Sequence, residues 1–302
     1  MGRVSVRVPT DRLDTAAGRR TRRPDTVAVE EPLEIRVGGR AVVVTMRTPG
    51  DDVDLALGFL LTEGLLTGAG QVRAAVHCSD LGEDGRPTFN ALDVTRQPGV
   101  PAPDLEGRRT FGMTSACGVC GSASIDAVQR RSAFDVAADP VSVHAEVLAG
   151  LPDRLREQQR TFERTGGLHA AGLFTADGEP LVVREDVGRH NAVDKVLGAA
   201  ARDGRWPLAG HLLVVSGRAS FELAQKAWTA GIPVLAAVSA PSSLAVELAE
   251  RAGMTLAGFL REPTMNLYSR PERVLDADAE RAGTAGAQAP VGAQPSSRDS
   301  RT

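Results

Sequence analysis

Between His211 and Phe259 the chain alternates short apolar runs with amphipathic ones, and that alternation restricts the fold more than any other feature. His211–Ser216, Pro233–Val238 and Thr255–Phe259 have strand length and little polar character, the pattern of strands buried on both faces. Between them, Ser220–Ala230 and Ser243–Ala252 have helical spacing and each begins at a serine suited to capping. Such strand–helix–strand units predict a parallel sheet with right-handed crossovers, covered by helices on both sides. Upstream, His169–Thr175 and Leu181–Glu185 read as two strands joined at Asp177-Gly178, and Asn191–Ala201 as a helix. Two more helices are expected over Ser124–Ala137 and Val143–Arg164, the second ending at Gly166-Gly167. The expected fold class is α/β, with residues 124–274 as the larger domain.

Residues 31–110 read as a smaller α+β part. Leu33–Val37 and Ala41–Thr45 are apolar and β-branched, and Gly38-Gly39 between them can supply the positive φ of a tight hairpin. Thr48-Pro49-Gly50-Asp51 ends the second strand. Asp52–Leu66 then places Val53, Leu57, Leu60 and Leu61 on one helical stripe. Val72–His77 and Phe89–Val94 read as strands, and Gln97–Asp104 as a proline-containing link. Residues 1–30 are rich in arginine, threonine and proline without a hydrophobic period, and residues 275–302 are alanine, glycine, proline, serine and charge. Both tails are expected to be disordered. A net charge of −3 gives no global pull toward nucleic acid or membrane. The absence of a signal-length or membrane-length apolar run points to the cytoplasm.

The chemistry concentrates in residues 111–123, where two of the three cysteines stand two residues apart in Thr114-Ser115-Ala116-Cys117-Gly118-Val119-Cys120-Gly121. Glycines on both sides disfavour a helix or strand interior, so a mobile, accessible loop is expected. An accessible thiol can ionise, attack sulfur or bind metal. Zinc would need two further ligands, and only the adjacent His77 and Cys78 offer themselves. No permanently bound metal is expected, and Cys78 is read as a core residue. A zinc deaminase would place His-x-Glu before its cysteines, whereas His144-Ala145-Glu146 follows them. A thioredoxin-like exchanger would start a helix at the pair, which the glycines oppose. A cysteine that accepts and hands on sulfur remains.

Two polar groups could form a site. Ser216-Gly217-Arg218, Ser239-Ala240-Pro241-Ser242-Ser243 and Leu260-Arg261 follow three successive strands. Hydroxyls, helix-start amides and two arginines there suit a phosphate, or serve only as caps and solvated charge. Arg184 to Asn191, continuing to Asp194 and Lys195, is the second group. His190 in it could carry a proton near neutral pH. Equally, Asp186 and Asn191 could cap the helix while Arg189 and Lys195 face water. His169 reads as structural.

Taken together, Arg47-Thr48-Pro49-Gly50-Asp51-Asp52, Ser115 to Gly121, Thr165 to His169, Glu185 to Asn191, Ser216-Gly217-Arg218 and Phe259-Leu260-Arg261 resemble the formate dehydrogenase accessory sulfurtransferases, the FdhD family. The resemblance runs in register from about residue 31 to 274. It implies a protein that takes persulfide sulfur from a cysteine desulfurase and delivers it to the molybdenum bis(molybdopterin guanine dinucleotide) cofactor, its bound substrate, for formate dehydrogenase. It also implies a homodimer, and a larger domain similar to the cytidine deaminase fold, a mixed sheet with helices on both faces. Cys117 would carry the persulfide with Cys120 assisting. Phe259, Leu260, Arg261, Glu262, Pro263 and Thr264 would bind the cofactor, helped by Ser216, Arg218 and His190. The rival readings are a redox-sensing, cofactor-binding chaperone and a disulfide oxidoreductase.

Overall fold

The computed structural model describes residues 3–78, 88–103 and 132–276. The Cys-x-x-Cys segment, most of the helix expected over Ser124–Ala137, and nearly all of the C-terminal tail lie outside them. Residues 132–137, the described end of that expected helix, form bends and turns instead.

The six-stranded sheet follows from the apolar alternation. Its order is β13-β12-β11-β10-β8-β9, made of β8 (His169–Phe174), β9 (Pro180–Asp186), β10 (Leu212–Val215), β11 (Val234–Ala237), β12 (Thr255–Arg261) and β13 (Thr264–Ser269). Strands β10, β11 and β12 are parallel as expected. The flanks are antiparallel: β8 pairs with β10 across the intervening β9 and a helix, and hairpins add β9 to β8 and β13 to β12. The sheet is therefore mixed, as the family resemblance implied, and the parallel pairing expected for the three strands between residues 211 and 259 is present at its centre. Within β10, Leu213 and Val215 face one core while Leu212 and Val214 face the other, which is why the strand shows no polar face. Helices α4 (Arg189–Arg202), α5 (Phe221–Thr229) and α6 (Ser243–Ala252) cover the first side, and α2 (Ala145–Glu157) covers the second.

Around residues 143–165 the single predicted helix is divided. Val143–His144 forms β7 against β14 (Val274–Leu275), and the chain leaves its helix at Gln158-Gln159 before α3 (Arg160–Thr165). The break has a tertiary cause. The Glu185 carboxylate on β9 accepts from Thr161 N at 2.9 Å and Phe162 N at 2.7 Å, supplying a new helix start with its cap.

The smaller part is a four-stranded sheet, β4-β3-β6-β5, built from β3 (Glu31–Val37), β4 (Arg40–Arg47), β5 (Val72–His77) and β6 (Ala91–Arg96). Gly38 and Gly39 turn the β3–β4 hairpin at φ 59° and 77°, the pair of positive angles such a turn requires. Helix α1 (Asp52–Thr62) buries Leu55, Leu57, Leu60 and Leu61 against this sheet. Cys78, expected in the core, is half-buried at the end of β5, with Arg36 Nη1 3.8 Å from its Sγ.

The leader is the largest departure. Residues expected to be disordered form an antiparallel hairpin of β1 (Ser5–Asp14) and β2 (Arg19–Ala28). Valines at 4, 6, 8 and 27 favour strand, but most of the hairpin is exposed, so no buried face imprints a hydrophobic period on the sequence.

The two parts meet where α1 crosses α4. A Cβ placed on Gly58 would stand 1.9 Å from Asp194 O, and one on Gly198 would stand 1.9 Å from Asp54 O. Only two glycines allow the backbones this close. Buried charges line the seam: Lys226 bridges Asp194 at 2.8 Å beside Thr62, and Arg184 reaches Asp54 at 3.0 Å.

Candidate functional site

Strands β9 to β12 end on the same side of the sheet, so their following loops gather there. They are joined edge to edge. Ser239 N donates to Gly217 O at 3.3 Å, Ser242 N to Ala219 O at 2.9 Å, and Phe259 N to Ser239 O at 3.2 Å. The three loop segments expected to form a rim thus make one continuous surface, the place where ligands of open α/β sheets bind. Several of its serines already have structural work. Ser216 Oγ accepts from Ala170 N at 2.9 Å, and Ser242 Oγ caps α6 from Ala245 N at 3.3 Å. Ser220, just past the rim, caps α5 in the same way.

What the rim offers a ligand is cationic and aromatic. Arg218 and Arg261 are exposed, and neither pairs with a carboxylate among the described residues. Phe259 is 39% exposed and holds φ at 51° in a bulge of β12. A bulky residue in that region costs about 1–3 kcal/mol and is characteristic of ligand sites. Leu260 turns back into the core at 1% exposure, so within Phe259 to Thr264 the side chains of Phe259, Arg261, Glu262, Pro263 and Thr264 face solvent.

Next to this rim lies the start of α4. Its cap, Gly188, gives no side chain, and its first turn carries Arg189 and His190 where acids are usual. Free amides and two basic groups make the spot receptive to an anion. His190 Nε2 stands 2.6 Å from Glu222 Oε2 on α5, and that contact holds the Glu222 carboxyl below its ordinary range. His169 joins the group from β8, because register pairs it with Asp186 and places its ring against Gly217. Burial, then the charges of Arg189 and His190, push its pKa below 6.5. His169 was read as merely structural, and Glu222 was not singled out. Neither could be, since sheet register and helix packing alone bring them together.

The rest of the second polar cluster is framework. Asp186 Oδ1 accepts from Gly188 N at 2.8 Å and Asn191 Nδ2 at 3.2 Å. Its Oδ2 accepts from Thr48 N at 3.1 Å and meets Lys195 Nζ at 2.7 Å. Lys195, expected to face water, is 1% exposed because the Thr48-Pro49 turn closes over it, with Thr48 O accepting at 2.9 Å. Arg189 is likewise partly buried. The capping role read for Asp186 and Asn191 is not what they do: the helix start at Gly188 has no side-chain cap hydrogen bond, and the two side chains instead tie the turn before it to the Met46–Thr48 backbone. No group of three or more His, Cys, Asp or Glu able to hold a metal occurs among the described residues, and no described helix is long and apolar enough to cross a membrane.

Known proteins resemble this chain along most of its length. Sulfur carrier protein FdhD of Mycolicibacterium paratuberculosis is 60% identical over 258 residues, covering 85% of this chain and 95% of the relative. The Streptomyces coelicolor protein of the same description is 55% identical, covering 91% and 97%. A crystal structure from Desulfotalea psychrophila, ascribed a formate dehydrogenase accessory role, superimposes with a TM-score of 0.70 over 90% of this chain and 100% of its own, at 23% identity. Residues 28–275 match the FdhD/NarQ family, and the chain belongs to that family.

Proposed function

We propose that this protein is a sulfur carrier in formate dehydrogenase maturation. It accepts a persulfide sulfur from a cysteine desulfurase on Cys117 and passes it to the molybdenum bis(molybdopterin guanine dinucleotide) cofactor as substrate. The observation that carries the reading is the near full-length identity to proteins described as sulfur carriers, in a chain whose one close cysteine pair is Cys117 and Cys120. The first step needs a Cys117 thiolate to attack the donor's outer sulfur, releasing the donor thiolate. Cys120 assists.

The rim supports the second step. The dinucleotide arms of the cofactor carry pyrophosphates, and Arg218, Arg261 and the start of α4 at His190 supply cations and amides for them. The exposed Phe259 ring offers a face for a flat heterocycle. Formate dehydrogenase is the partner served, the chain works as a homodimer, and the reaction runs in the cytoplasm. Likeness of the larger part to the cytidine deaminase fold belongs to the same proposal and rests on the family resemblance. The test is formate dehydrogenase activity in cells lacking their own copy of the carrier. Cys117→Ala is expected to abolish activation, and full activation by that variant would sink the persulfide role.

A further inference from the structure

The chemistry proposed above leaves His169 idle, although the fold carries it to the rim. It is the first residue of β8, and that end of β8 lies beside the last residues of β9 and β10. Its half-buried ring closes on the loop after β10, where a Cβ placed on Gly217 would stand 3.5 Å from Nδ1. Arg189 and His190, in the first turn of α4, are near enough for their charges to act on it. Three basic groups from two elements thus gather at a helix start that has neither a side-chain cap nor an acid in its first turn.

The three differ in what they already hold. His190 Nε2 has the Glu222 carboxylate at 2.6 Å. Arg189 Nε is closed off from solvent and has no hydrogen-bond partner among the described residues. His169 forms no ion pair among them either. The charged groups that face it are Arg189 and His190 from α4 and Asp186 from β9, while the loop after β10 presents Gly217 there. Asp186 is fully buried and committed to Gly188 N, Asn191, Thr48 N and Lys195, and its charge is the smallest of the influences on His169. An imidazole desolvated beside two cations stays neutral until an anion joins them.

An anion at the start of α4 answers both unmet needs. It accepts from Arg189 Nε and the free amides, and its charge offsets the repulsion that keeps a proton off His169. We infer that His169 is a further ligand-binding residue of the rim, which takes a proton from solvent as a pyrophosphate settles at the start of α4 and then holds that pyrophosphate as a cation. The inference rests on the reading of the rim as the place of the cofactor's pyrophosphates. Binding and protonation are reciprocal, so the phosphates favour the proton by as much as the proton favours the phosphates. Free His169 is held below its ordinary value by burial and then by Arg189 and His190, hence neutral near pH 7. Affinity therefore rises as pH falls through the bound value and levels off below the free one.

Calorimetric titration of the full chain with guanosine diphosphate, in two buffers of different ionisation heat, reads the proton directly. Near neutral pH the wild type is expected to take up about half a proton more per ligand than His169→Asn, which supplies the reference for the ligand's own titrating phosphate. The ratio of their affinities should shrink about tenfold between roughly pH 5 and pH 8.5. Imidazole NMR of the wild type reads the same event without a variant: the His169 ring should titrate below pH 6.5 when free and at higher pH with guanosine diphosphate bound. A ring titration that the bound ligand leaves in place, or equal proton uptake by wild type and variant, would overturn the inference while the rim still binds the nucleotide. A wild type with no affinity for guanosine diphosphate would overturn it together with the reading of the rim, so the two failures are distinct.

Discussion

Replacing Gly58 by alanine tests the seam that fixes the two parts of the molecule to each other. The new Cβ would lie 1.9 Å from Asp194 O and 2.6 Å from its carbonyl carbon, where ordinary contact begins at 3.4 Å. Both obstacles are backbone, so α1 and α4 must separate by about 1.5 Å rather than repack a side chain. Overpacking of this kind costs about 1–3 kcal/mol, and backbone on both sides puts the case near 3. Alanine's helical preference over glycine returns about 0.5–1 kcal/mol. The net expectation is a loss of about 2 kcal/mol, or roughly 4–8 °C in thermal midpoint for a protein of this size. Gly150→Ala is the matched control. It also lies inside a helix, α2, but beyond its own helix no heavy atom lies within 4 Å of its added Cβ, so it should stabilise by about 0.5–1 kcal/mol. Urea unfolding of both variants, followed by circular dichroism, measures the difference. A Gly58→Ala protein as stable as Gly150→Ala would refute the reading of the seam.

Two further predictions concern the rim. His169 has its pKa depressed below 6.5, first by burial and then by Arg189 and His190. It therefore binds a proton more readily when unfolded, and its contribution to stability is present above about pH 6.5 and lost as pH falls through the folded value. Unfolding free energy should decline below that pH by at most about 1.4 kcal/mol per unit from this residue, and His169→Asn should flatten the decline; an unchanged slope would remove His169 as its source. Arg261→Ala should weaken guanosine diphosphate, a fragment of the cofactor, by about tenfold or more in calorimetry, and unchanged affinity would exclude Arg261 from the site.

Which elements were legible in the sequence follows from where their information lies. The central strands could be read because β10, β11 and β12 are apolar on both faces and the helices between them begin at capping serines. The β3–β4 hairpin could be read because two adjacent glycines announce its turn. Strand β13 was missed although Thr264–Leu267 alternates polar and apolar residues, because the run is short and follows Glu262-Pro263, which reads as a turn. The break between α2 and α3 was invisible because Glu185, which causes it, comes more than twenty residues later on another element. The exposed β1–β2 hairpin gave no signal because periodicity records burial, and little of that hairpin is buried. The site divides the same way. Arg218, Arg261 and Phe259 follow strand ends and were legible, whereas His169 and Glu222 become neighbours of His190 only through register and packing.

The central claim is that Cys117 carries sulfur. Intact-protein and peptide mass spectrometry after incubation with a cysteine desulfurase and cysteine addresses it directly. The account predicts a single added sulfur that maps to Cys117, disappears with a reducing agent and is absent from Cys117→Ala. A protein that stays unmodified, or that takes up sulfur equally well on Cys78, would contradict it.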